Sequence, residues 1–136
     1  MTLFIDTSAL VKRYVDEPGR DLVVEAMAAD DVWVASELAR TEAALTLARV
    51  AATPRQLDRL HRLLADDWDT FHVVPVDDRC LAAAAELGAN HGLSVSTAIH
   101  LAAASRLPKP VGFLTLDRRQ VSAAVALDLD LLGSRE

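Results

Sequence analysis

The chain has 136 residues, 51% apolar and 25% charged, the proportions of one soluble folded domain, and its single cysteine, Cys80, excludes an internal disulfide and reads as a small core residue. A formal net charge of −6 argues against a sequence-independent grip on duplex nucleic acid, where Lys and Arg must neutralise phosphates. It leaves room for an enzyme that meets phosphates through bound metal ions, because its acids would be neutralised locally.

In chain order, Leu3-Phe4-Ile5 is a short apolar run that ends in Asp6-Thr7-Ser8 and passes into the helix-like 9–14. No basic segment precedes the run, and it meets an acid after five residues, so neither a signal peptide nor a membrane span is expected and a cytoplasmic protein is the default. Glu17-Pro18-Gly19 makes a turn before a helix over about 20–29, and 32–35 is a second strand. Ser36 stands where the N-cap of a helix over about 37–51 is expected. Thr53-Pro54-Arg55-Gln56 is a capping box with proline at the first helical position, which starts a fresh helix to about Asp67. A third strand is predicted over 71–76, and Asp77-Asp78 opens a helix that stops near Asn90-His91-Gly92. Ser94 or Ser96 caps a helix from Thr97 to Ser105, which Leu107-Pro108-Lys109-Pro110 breaks. The fourth strand is 111–116, Asp117 opens a last long helix, and 129–132 is a short fifth strand. This alternation predicts a single three-layer α/β/α domain over 1–136, with a central, mainly parallel sheet of four to five strands.

Asp6 and Asp117 each follow an apolar strand and begin a helix. Helix capping explains either one alone, yet ligands in parallel sheets collect beyond the carboxyl ends of strands. Glu42 shifts the balance, because it falls within a helical stripe of Leu38, Leu45 and Ala48 and so is expected to face inward. A buried carboxylate needs a cation, a proton or a metal; Arg40 or Arg49 would serve as a plain salt-bridge partner. Two strand-end acids and an inward glutamate converging at one sheet edge make the oxygen-rich donor set that Mg²⁺ or Mn²⁺ takes, and such sites hydrolyse phosphodiesters. His100, between Ile99 and Leu101, reads as a packed, hydrogen-bonded histidine, and Trp33 and Trp68 as core or interface anchors. Lys12, Arg13, Arg118 and Arg119 stand near the strand-end acids, where basic side chains either meet RNA phosphates or are merely solvated.

Asp-Thr-Ser-Ala-Leu-Val-Lys at 6–12, the mid-chain Glu42, Ala-Ile-His-Leu-Ala at 98–102 and Thr-Leu-Asp at 115–117 together resemble PIN-domain proteins of the VapC toxin type over nearly the whole chain. The resemblance implies a PIN-like fold, a Mg²⁺- or Mn²⁺-dependent endoribonuclease acting on RNA, an antitoxin protein that blocks the active site, and a homodimer. By position it assigns Asp6, Glu42 and Asp117 to the metal site, with Ser8 and Thr115 as supporting hydroxyls. The family's further Asp, three residues before the histidine, is Thr97 here. A neutral hydroxyl ligates only weakly, which also admits a weakened PIN domain that serves mainly to bind the antitoxin. A receiver-like phosphorylation switch fits less well, because Lys109-Pro110 precedes the fourth strand instead of following the last core strand.

Overall fold

The computed structural model describes residues 1–133. The elements run β1 (Thr2–Ile5), α1 (Thr7–Lys12), α2 (Arg20–Ala28), β2 (Val32–Ser36), α3 (Leu38–Val50), α4 (Pro54–Trp68), β3 (His72–Val74), α5 (Asp78–His91), α6 (Val95–Ser105), β4 (Val111–Thr115), a 3₁₀ turn (Arg118–Gln120), α7 (Val121–Ala126) and β5 (Asp130–Gly133). The strands lie in the order β3-β2-β1-β4-β5 and every pairing is parallel, as expected for strands joined by helical crossovers. Phe4 and Phe113 are register partners, and their rings stack with centroids 5.6 Å apart.

Alternation along the strands sends side chains to two cores. Phe4, Val34 and Phe113 pack with residues of α5, α6 and α7. Leu3, Ile5, Ala35 and Leu114 pack with residues of α1 to α4 on the opposite face. Covering both faces of a parallel sheet is what makes the three layers. No helix among the described residues is long and apolar enough to cross a membrane.

Two expectations are corrected. On α3 the buried row is Ala39, Ala43 and Leu47, while Leu45 is 55% exposed and Ala48 also faces solvent. Small alanines let α3 approach α1 and α4 closely, and that close packing, not the larger side chain at 45, sets the phase of the helix. Glu42 therefore stands at the margin of the buried row. The expected long last helix is a 3₁₀ turn followed by the six-residue α7, which stops where Asp128 adopts a left-handed φ of 59°. The capping box does form, with Gln56 N donating to Thr53 Oγ1 (3.1 Å), though the Gln56 side chain accepts from the N–H of Ala52. Ser94, not Ser96, caps α6.

The strand order has a functional consequence. From β1 the chain crosses to β2 on one side, whereas β4 lies on the other. The carboxyl ends of β1 and β4 thus flank the reversal point of the sheet, where a crevice opens.

Candidate active site

Asp6 leaves β1 at that crevice and is 1% exposed. It caps α1, since Oδ1 accepts from Ala9 N (3.0 Å), but a cap uses only part of a carboxylate. Oδ1 also accepts from Ser8 Oγ (2.7 Å), while Oδ2 accepts from Thr115 Oγ1 (2.6 Å) and Gln120 Nε2 (2.6 Å). Ser8 Oγ in turn receives the backbone N–H of Leu116 (3.0 Å), which ties the end of β4 to the start of α1. Ser8 and Thr115, expected as supporting hydroxyls, both hold Asp6.

Gln120 lies 2% exposed beside them. Its amide nitrogen must face Asp6, because a carboxylate only accepts. The Oε1 is then left without a partner, the one such buried side-chain atom among the described residues.

Asp117 follows β4 and caps the 3₁₀ turn through Arg119 N (3.1 Å), and the Arg119 guanidinium adds two bonds of 3.0 Å. These bonds hold its carboxyl below the usual aspartate range; the Arg119 side chain contributes most, against an opposing effect of burial. Thr97 is buried on α6, its hydroxyl accepting from Ser94 Oγ (3.1 Å). Asp6, Ser8, Ser96, Thr97, Asp117 and Gln120 are among the side chains lining one polar cavity of about 160 Å³.

Glu42 is joined to that cavity through three of its lining residues. Thr7 Oγ1 donates to Oε1 (2.7 Å), Ser96 Oγ to Oε2 (2.5 Å), and His100 Nε2 lies 2.6 Å from Oε1. Burial pushes the Glu42 carboxyl up, but the bonds from His100, Ser96 and Thr7 outweigh it and bring the pKa down to about 2. Neither Arg40 nor Arg49 is its partner; the cation is His100 when that ring is protonated.

Asp6 and Asp117 thus share a cavity with Thr97, whereas Glu42 does not line it and lies behind Thr7, Ser96 and His100. Among the described residues no three His, Cys, Asp or Glu side chains are close enough to form a metal-holding group on their own. The carboxylates and hydroxyls of the cavity are hard oxygen donors of the kind Mg²⁺ or Mn²⁺ takes, and the imidazole in its lining, His100, is turned to Glu42. Sequence reasoning missed Gln120, whose signal was a polar residue in line with the buried Ala123 and Ala124. His100 is the packed, hydrogen-bonded histidine expected, and its spacing of four from Ser96 places both on one side of α6. Lys12 and Arg13 are engaged elsewhere, with Glu17 and Asp67.

A family model described as PIN domain matches residues 3–127. By structure, the chain is similar to FitAcB from Neisseria gonorrhoeae, with a TM-score of 0.75, 17% identity and 98% of both chains covered. It is similar to VapC20 of Mycobacterium tuberculosis, a sarcin–ricin loop cleaving toxin, with a TM-score of 0.72, 18% identity, and 90% of this chain and 95% of that one covered. A toxin–antitoxin complex from Klebsiella pneumoniae aligns with a TM-score of 0.73, 14% identity, and 100% and 99% covered. At such identities the likeness is one of fold. No curated protein matches the chain.

Proposed function

This chain belongs to the PIN-domain family, and on that premise we propose that it is a metal-dependent endoribonuclease, the toxin of a toxin–antitoxin pair acting in the cytoplasm. The observation that carries the reading is the placement of Asp6 and Asp117 beyond the two strands that flank the sheet's reversal point, around one polar cavity. The likeness to a toxin that cleaves the sarcin–ricin loop and to toxin–antitoxin complexes supports RNA as substrate and an antitoxin as partner.

In this reading Asp6 and Asp117, which line the cavity, would hold Mg²⁺ or Mn²⁺, and Glu42 would join them only after side chains shift, since as they stand no three acids among the described residues form a metal-holding group. One or two carboxylates suffice for Mg²⁺ when substrate phosphates and water complete the shell. The bound cation supplies charge neutralisation at the scissile phosphate and makes a nearby water more acidic. Ser8, Thr115 and Gln120 fix the direction of Asp6, and Arg119 stands at the rim where an RNA phosphate would arrive. Thr97 contributes only a neutral hydroxyl, so cation affinity is low. The chain is expected to pair as a homodimer, which sedimentation measures directly.

Cleavage of a structured RNA with and without Mg²⁺ or Mn²⁺, alongside Asp6→Asn, tests the proposal. Cutting is expected only with the metal and only with Asp6 intact; cutting that persists in Asp6→Asn removes the proposed site. A second reading, an antitoxin-binding module with catalysis lost, is favoured by one observation: each of the three carboxylates is already matched by donors of this chain. Antitoxin binding without any cleavage would establish it.

A further inference from the structure

His100 is 2% exposed on α6, and both ring nitrogens are engaged. Nδ1 lies 3.1 Å from Ser36 Oγ at the end of β2, and Nε2 lies 2.6 Å from Glu42 Oε1 and 3.1 Å from Thr7 Oγ1. One ring therefore ties α6 to β2, α3 and α1, joining two elements that line the cavity, α1 and α6, to two that do not. A carboxylate accepts and never donates, so the ring proton sits on Nε2 and points at Glu42. Ser36, fully buried, fixes the ring from its other side.

Glu42 needs such help. Its side chain is 27% exposed and sits at the margin of α3, where a long flexible carboxylate would otherwise sample solvent. Ser96, one turn before His100, takes the second oxygen. Because residue 97 is a neutral threonine engaged with Ser94, Glu42 is the sole carboxylate paired with His100 among the described residues.

The geometry points to His100 as a positioning residue: with Ser96 it locks the Glu42 carboxylate directly behind the cavity wall that His100 and Ser96 themselves line, a role that rests on the nuclease reading above. Groups that orient a metal-binding carboxylate are worth about 10- to 100-fold in activity or metal affinity, and small misplacements at a reacting centre cost about as much.

The test crosses His100→Leu and His100→Gln with Glu42→Gln in RNA cleavage, with thermal melting to confirm folding. His100→Leu should lower kcat by about 10- to 100-fold with KM changed by less than about twofold. His100→Gln, which keeps an N–H near the Nε2 position, should recover most of the loss. In the Glu42→Gln background His100→Leu should cost nothing more. Equal losses in both backgrounds, or no recovery by glutamine, overturn the proposal in favour of core packing. Nitrogen-15 histidine spectra, recorded without RNA or metal, should show an exchange-protected Nε2–H that Glu42→Ala removes. An active wild type lacking that protected proton overturns the His100 role alone, whereas a protected proton in a wild type that cleaves no RNA overturns the nuclease reading and the catalytic role with it.

Discussion

Two carboxylates are tied to one cavity by opposite means, Asp6 by lining it and Glu42 through residues that do. Asp6 sits where a strand becomes a helix, so its backbone is fixed by the sheet, and its two oxygens are filled by neutral donors within a few residues of β1 and β4. Glu42 projects from the margin of a helix and is held by side chains of α1 and α6, one of them an ionisable ring. The first limb is built into the sheet edge; the second is assembled from helices distant in the chain. Breaking the first strands buried donors at any pH, whereas breaking the second removes stability that depends on the charged carboxylate and so on pH.

The largest effect is expected at Asp6. Asp6→Ala strands the donors of Ser8, Ala9, Thr115 and Gln120 in the interior and should destabilise by about 3 kcal/mol in urea titration. Asp6→Asn should cost about 1 kcal/mol, because the Gln120 amide can turn and offer its orphaned oxygen to the new NH₂. Both variants should lose cleavage, so the comparison separates charge from shape. A destabilisation of Asp6→Asn as large as that of Asp6→Ala would show that the carboxylate's charge, and not its hydrogen bonds, organises this limb.

Thr97→Asp comes next in size. It restores an oxygen anion to the shared wall and should tighten Mn²⁺ binding by about tenfold in calorimetry, with cleavage rising in parallel. No gain in either would favour the binding-module reading.

The Glu42 limb can be read by pH. Its carboxyl titrates at about 2 in the folded chain, against about 4.3 when unfolded. The folded value is the lower one, so the unfolded state binds more protons across this window and stability rises with pH. The contribution is complete above about pH 5 and fades as pH falls toward 2. Glu42→Gln should flatten that part of the urea-midpoint profile.

How far the sequence revealed all this follows the same division. The βα junctions at Asp6 and Asp117 were legible because strand, acid and helix start are contiguous, and so was the alternation that builds a five-stranded parallel sheet. Glu42 was noticed through a stripe that the structure does not keep: a leucine at 45 outweighs alanines in hydropathy, but close packing selects Ala39, Ala43 and Leu47. The partners of His100 were not legible at all. They lie 64 and 58 residues away in the chain, on β2 and α3, and no local pattern records a ring that bridges them. Gln120 was hidden for a related reason, since its value comes from Asp6, 114 residues earlier.

The smallest effect is expected at Arg119, and it bounds the comparison from outside. Its side chain is 79% exposed while it grips Asp117, and solvent screening leaves an exposed pair of this kind little to contribute to stability. Arg119→Ala should therefore leave the urea midpoint almost unmoved, and the Asp117 carboxyl should titrate higher once its strongest donor is gone. If the arginine meets RNA phosphate, KM should rise a few-fold at low salt and the difference should shrink as salt is added. A loss of stability comparable to that of Asp6→Ala would mean that the rim, too, is part of the folded framework, and that the contrast between a built-in limb and an assembled one does not extend to the third carboxylate.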